Sequence, residues 1–250
     1  MAAAALAETA RVVLDSVDST NAEALRRASA GERGPLWILA RQQTAGRGRR
    51  GRAWVSAPGN LHATLLLTDP SPAAAAPQLG FVAGLALHEA AAAAAPALAS
   101  SLALKWPNDL LCHGRKIGGI LVEGEGTPIA VAIGIGVNCR QHPEDAEYPA
   151  TDFAASGAAV APEALLHALA REVAARLIQW NRGAGFAAIR AAWLVRASGR
   201  GEHVRVRLAG RETSGRFESI DEAGRLMLRG GDGSVESIAV GEVFPFTQIA

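Results

Sequence analysis

The residues "GRGRRGRAW" at 46–54 admit three readings, one of which would fix the fold. Gly46, Gly48 and Gly51 satisfy the G-x-G-x-x-G spacing of a dinucleotide-binding turn, and Arg47, Arg49, Arg50 and Arg52 fill the positions around them. A dinucleotide turn would make the chain a doubly wound α/β protein. It requires a strand before the first glycine and a helix opening near the third. The strand is present, because "LWILA" at 36–40 is a continuous apolar run. The helix is absent: "RAWVSAPGN" at 52–60 carries a proline, a glycine and a β-branched residue where a helix should begin. In a dinucleotide turn, small residues let backbone amides approach the phosphates. Here an anion would meet arginine side chains instead. Two other readings stay open on spacing alone. One is an arginine–glycine segment that binds nucleic acid, although such segments are usually long and lie in tails. The other is a solvated loop with no ligand.

Composition narrows the choice. The chain has 250 residues, a formal charge of +1 and 49% hydrophobic content. It is long enough for one large domain, or one domain plus a small one, with a substantial core. The near-zero charge excludes a surface built wholly for nucleic acid. Positive charge is concentrated instead between residues 41 and 54, which hold five arginines and no carboxylate. That cluster expects an anionic ligand. Cys112 and Cys139 show no C-x-x-C spacing, so they read as reduced thiols of a cytoplasmic protein, with no disulfide or zinc. The N-terminal "MAAAALAETARVV" lacks a basic leader and is a poor signal peptide. No uninterrupted apolar run reaches the roughly 18 residues of a membrane span.

The remaining pattern alternates strands and helices. "RVVL" at 11–14 predicts a strand. Thr20 and Glu23 fit a capping box that opens a helix running to Gly31. "LHATLLL" at 61–67 predicts a strand, and the alanine-rich stretch 78–95 a helix ended by Pro96. "LALKW" at 102–106 predicts a strand leading into a loop, "PNDLL". Residues 116–124 and 129–138 predict a strand pair. Leu165, Leu169, Val173 and Leu177 line one face of a helix over 162–182, and another helix is expected over 186–195. After Ser198 the chain changes character. "HVRVRL" alternates strictly, and short strands with glycine turns follow, predicting a small β-barrel.

Five fragments occur in a definite order: "DSTN" at 18–21, "QQTAGRGRRGRAW" at 42–54, "KWPNDLL" at 105–111, "RKIGGILVE" at 115–123 and "GIGVN" at 134–138. Together they resemble the biotin protein ligases, which attach biotin to carboxylase subunits. The resemblance covers most of residues 15–140. It implies an α+β fold: a mixed β-sheet catalytic domain flanked by helices, of the class II synthetase or biotin–lipoate ligase type, over residues 1–198. A small C-terminal SH3-like β-barrel would occupy 199–250.

The chemistry asks for such residues independently. Bringing a carboxylate onto the α-phosphorus of ATP joins two anions, and fixed cations must offset their repulsion. By resemblance, Lys116 contacts the biotin carboxylate and the α-phosphate, with Arg47 and Arg49 assisting catalysis. Ser19, Thr20, Asn21 and Gln43 hydrogen-bond the ureido head. Arg47, Gly48 and Arg49 close over the ligand, Trp54 walls the biotin pocket, and Gly118 and Gly119 let the ligand approach. Arg49, Arg52, Lys105, Asn108, Asp109, Lys116 and Asn138 serve ATP. Asp109 and Asn138 are the expected Mg²⁺ ligands. Trp106 and His62 read as packed side chains.

The implied partner is a biotin carboxyl carrier protein of a biotin-dependent carboxylase. Only 18 residues precede Ser19, too few for a helix-turn-helix domain, so an enzyme-only member without DNA binding is expected, as a monomer or weak homodimer. A lipoate or octanoyl ligase or transferase is the neighbouring alternative. An arginine-loop nucleic-acid-binding protein is the alternative of another class.

Overall fold

The computed structural model describes residues 9–245. Most of the N-terminal stretch considered above as a leader lies outside them. The first part of the chain forms β1 (Arg11–Val17), α1 (Thr20–Ser29), β2 (Leu36–Gln43), β3 (Leu61–Thr68) and α2 (Leu79–Ala94). Then come β4 (Leu102–Lys105), β5 (Asp109–Cys112), β6 (Arg115–Glu125), β7 (Ala130–Val137), α3 (Pro162–Trp180) and α4 (Phe186–Val195). The seven strands make one sheet in the order β1-β2-β3-β7-β6-β5-β4. β1 and β2 run parallel and the other neighbours antiparallel, so the sheet is mixed.

Two local expectations need correction. Residues 109–111, expected within a loop, form β5 together with Cys112. All four are buried, and the strand pairs with both β4 and β6. Thr20 is not the helix cap. Ser19 is: its backbone is extended (φ −154°, ψ 134°) and its Oγ accepts from Ala22 N–H at 3.4 Å. The Thr20 hydroxyl is engaged with Gln43 instead, and Glu23 pairs with Arg26 and Arg27 rather than reaching back to a cap.

Strand alternation explains how one sheet carries both a core and a site. Side chains two apart share a face of a strand. On β3, Leu61, Ala63, Leu65 and Leu67 face the main core, as do Val131, Ile133, Ile135 and Val137 on β7. Those residues pack with α2, α3 and α4. The other face starts apolar beneath α1, where Ala24, Leu36, Ile38, Leu66, Ala130 and Ala132 form a second cluster. Further along the same face come His62 and Thr64 on β3, and Gly134 and Gly136 on β7. The absence of side chains at those two glycines opens space that the first face fills.

The C-terminal segment forms β8 (His203–Arg207), β9 (Glu212–Ile220), β10 (Leu226–Arg229), β11 (Val235–Ile238) and β12 (Glu242–Pro245). They make an antiparallel sheet in the order β11-β10-β9-β8-β12, consistent with the expected barrel although β11 and β12 stay at its edges. Val204, Val206, Phe217, Leu226 and Leu228 join it to the main core. Trp106 is buried, as expected of a packed side chain, and its Nε1 donates to Gly224 O at 3.1 Å across the junction.

Candidate active site

A cavity of about 310 Å³ opens on the glycine-bearing face of the sheet. Its floor is cut to two side chains. A Cβ on Gly136 would lie 2.5 Å from the Trp54 ring, and one on Gly134 would lie 2.4 Å from Asn21 Oδ1. Real Cβ atoms do not approach so closely, so only glycine lets indole and amide lie against β7. Gly119, opposite Gly136 on β6, performs a similar service for Trp54 and Lys116. Gly118 does not belong to this set. A Cβ there would meet Gly136 O at 3.2 Å and Leu87 of α2 at 3.4 Å, on the core face, and Gly118 does not line the cavity. One residue along a strand reverses the face.

The polar end of the cavity is set by a hydrogen-bond network. Gln43 Oε1 accepts from Thr20 N–H at 2.8 Å and from Thr20 Oγ1 at 3.0 Å, and Gln43 Nε2 donates to Ser56 Oγ at 2.9 Å. Asn21 Nδ2 donates to Leu121 O (3.2 Å) and Glu123 Oε2 (2.9 Å), while Thr64 Oγ1 donates to Asn21 Oδ1 at 2.7 Å. An amide nitrogen has two donors and a hydroxyl one. Among the described residues, the Ser19 hydroxyl and one Gln43 N–H therefore stay available to a ligand carbonyl. Asn21 has both donors engaged, so it can only accept. His62 is buried beside this network, with Nε2 3.3 Å from Ala57 O. Burial lowers its pKa, which leaves a neutral packed ring.

The other end is cationic around one carboxylate. Asp109 is buried between Lys105 Nζ at 3.0 Å and Lys116 Nζ at 2.7 Å. Burial alone would raise its pKa, but Lys116 and then Lys105 outweigh that and hold it below the ordinary carboxylate range. The two lysines differ. Lys105 is buried, lies 3.9 Å from the Tyr148 ring centroid and reaches Val243 O at 3.5 Å, at the edge of the cavity. Lys116 is 27% exposed and faces the cavity. Its exposure, against the burial of Lys105, leaves Lys116 able to turn toward an anion.

The arginine loop lies over the cavity as a hairpin. Arg47 bridges Ala53, Gly48 N–H reaches Arg52 O at 2.7 Å, and Trp54 N–H reaches Gly46 O at 2.9 Å. The hairpin turns at Arg50 (φ 58°) and Gly51 (φ 71°), both left-handed. Its arginines point to three different walls. Arg47 lies 3.4 Å from Glu123, Arg49 donates to Asn108 Oδ1 (3.4 Å) and Gly241 O (3.3 Å), and Arg52 donates to Glu242 at 2.9 Å. The loop is therefore a cover.

A magnesium ion held by Asp109 and Asn138, expected above, does not fit these donors. Both Asp109 oxygens already face an ammonium group, while Asn138 Nδ2 donates to Thr151 O at 3.0 Å, which leaves a single amide oxygen, Asn138 Oδ1, as the remaining ligand. A divalent cation prefers a set of oxygen ligands around it. Among the described residues no cluster of three His, Cys, Asp or Glu side chains is placed to hold a metal ion.

Residues 13–139 match the biotin/lipoate A/B protein ligase family, and residues 200–244 match the biotin protein ligase C-terminal domain. The chain belongs to the biotin/lipoate protein ligase family. A biotin–[acetyl-CoA-carboxylase] ligase of Paracoccus denitrificans is 46% identical over 241 residues, covering 93% of this ligase-family chain and 99% of that protein. The structure of a biotin protein ligase from Aquifex aeolicus in complex with biotin and ATP is similar at a TM-score of 0.79 and 26% identity, covering 94% of this chain and 97% of that one. A biotin protein ligase from Leishmania major in complex with biotinyl-5-AMP is similar at a TM-score of 0.64 and 27% identity, covering 92% and 99%.

Of the expected site residues of this ligase-family chain, Ser19, Thr20, Asn21, Gln43, Arg47, Gly48, Arg49, Arg52, Trp54, Lys105, Asn108, Asp109, Lys116, Gly119 and Asn138 all line the one cavity. Sequence reasoning missed Tyr148, Glu147 and Glu242, which also line it, and Thr64 and Glu123, which support it. Thr64 carried a signal: it lies two residues from His62 on one strand face. Glu147 and Glu242 carried none, because they arrive from a loop and from the second sheet.

Proposed function

We propose that this chain is a biotin–protein ligase. It joins biotin to ATP as biotinyl-5′-AMP, releasing pyrophosphate, and then passes the biotinyl group to a lysine of a biotin carboxyl carrier protein, releasing AMP. The observation that carries the reading is the polarity of the cavity: hydrogen-bond donors at one end, an indole in the middle, and cations at the other. Biotin has the same sequence of properties, a ureido head, an apolar ring and tail, and a carboxylate. Its ureido carbonyl accepts from Ser19 and Gln43, its tail crosses Trp54, and its carboxylate meets Lys116.

In the first step a carboxylate oxygen bonds to the α-phosphorus as the bond to the pyrophosphate oxygen breaks. Lys116 turns from Asp109 to the two converging anions, while Lys105 stays on Asp109 and keeps it compensated. Arg49 and Arg52 supply further positive charge on the nucleotide side. In the second step the neutral acceptor amine attacks the acyl carbon and AMP leaves. The arginine hairpin keeps water from the labile adenylate between the two steps.

A lipoyl or octanoyl group would leave the Ser19 and Gln43 donors without a partner, and unsatisfied buried polar groups are costly. The nucleic-acid reading is disfavoured because Arg47, Arg49 and Arg52 are engaged with the chain itself rather than displayed. No helix among the described residues is long and apolar enough to cross a membrane. We place the enzyme in the cytoplasm, without a DNA-binding role, as a monomer or weak homodimer.

Incubation with biotin, MgATP and a biotin carboxyl carrier domain should raise the carrier's mass by one biotinyl group. A carrier of unchanged mass would sink the reading. The glycine floor gives a sharper expectation. Gly136→Ala forces the Trp54 ring off β7, an overpacking cost of about 1–3 kcal/mol. The KM for biotin should rise roughly tenfold while that for ATP changes little; equal changes in both would contradict the assigned biotin wall.

A further inference from the structure

Glu123 takes no part in the activation chemistry, yet it touches both halves of the apparatus. It lies on β6 two residues beyond Leu121, on the same strand face. Its Oε2 accepts from Asn21 Nδ2 at 2.9 Å, and its Oε1 lies 3.4 Å from Arg47 Nη2. Asn21 is buried and belongs to the ureido network. Arg47 is 46% exposed and belongs to the loop. The Asn21 amide has little freedom, since Leu121 O and Thr64 Oγ1 fix its other contacts and β7 lies directly beneath it. One carboxylate thus joins a fixed amide to a guanidinium that opens the cover. A neutral acceptor could satisfy the amide, but only a charge attracts Arg47.

We propose that Glu123 is a positioning residue that ties the arginine loop to the ureido network and thereby retains biotinyl-AMP on the enzyme. The proposal rests on the ligase reading of the same cavity. It separates two roles of one side chain, orientation of Asn21 and tethering of the loop, and two substitutions in the full chain test them. Glu123→Gln keeps an acceptor for Asn21 and removes the charge facing Arg47. It should leave the biotin KM and the melting temperature near wild type. Escape of preformed biotinyl-AMP into solution should rise by about threefold to fivefold, the most a half-exposed ion pair supplies. Glu123→Ala removes both contacts and should also raise the biotin KM by about tenfold, because the Asn21 donor loses its charged partner.

A double-mutant cycle distinguishes tethering from a general structural effect. In an Arg47→Gln background, Glu123→Gln should add no further escape. Wild-type escape from Glu123→Gln, or the same increment in both backgrounds, overturns the proposal. Should the wild-type chain form no biotinyl-AMP, the ligase reading itself falls and the proposal with it. Glu123→Gln retains the side-chain shape, so the test stands even where Glu123→Ala does not fold.

Discussion

Replacing Lys116 with alanine slows biotinyl-AMP formation by about two to three orders of magnitude, the usual loss when one donor to a developing anion is removed. The fold survives, because Asp109 keeps Lys105 at 3.0 Å and Lys116 is partly exposed. Biotin affinity falls less than the rate does. The ammonium group's largest contribution comes when carboxylate and phosphate are brought together, where the repulsion it offsets is greatest. Single-turnover measurement of adenylate formation, beside a melting curve, reads both quantities. A variant that forms adenylate at the wild-type rate would remove Lys116 from the mechanism.

Asp109→Ala has the opposite profile. It strands Lys105, an ammonium group buried between Tyr148 and the second sheet with a backbone carbonyl as its remaining polar neighbour. Breaking a buried pair by removing one partner costs about 3–5 kcal/mol, so the melting temperature should drop by many degrees. Asp109→Ala combined with Lys105→Met removes both charges together and should recover most of the loss, because a buried pair replaced by apolar groups is often close to neutral. Activity should stay low in the double variant, because Lys116 then lacks the partner that holds it at the cavity. Thermal unfolding of the three proteins checks the first part and single-turnover kinetics the second. A double variant no more stable than Asp109→Ala would show that the cluster does not act as a buried pair.

The contrast between the two lysines explains what the sequence could and could not reveal. The resemblance carried by "KWPNDLL" and "RKIGGILVE" brought Lys105, Asp109 and Lys116 into view together, and it made both lysines substrate ligands without distinguishing them. Their difference depends on β4, β5 and β6 lying side by side, and on Tyr148 and Val243 arriving from distant parts of the chain. Metal ligation at Asp109 was plausible for an aspartate near a phosphate, but both carboxylate oxygens already face ammonium groups. Gly118 and Gly119 were indistinguishable by composition. Strand alternation separates them, once the register fixes which face holds the core. The mixed sheet, the helices and the second antiparallel sheet were legible because apolar runs, periodic leucines and strict alternation are local signals. The β5 strand was not, since "DLLC" is short and follows a turn whose geometry no local pattern announces. Ser19 displaced Thr20 as the cap because Gln43, 23 residues away, claims the Thr20 hydroxyl.

The central claim is that one cavity holds biotin and the α-phosphate of ATP together, with Lys116 between them. Isotope exchange between pyrophosphate and ATP tests it most directly, without an acceptor protein. Exchange that requires biotin and nearly vanishes in Lys116→Ala is the predicted result. Exchange that proceeds equally without biotin, or none under any condition in the folded wild-type protein, would contradict it.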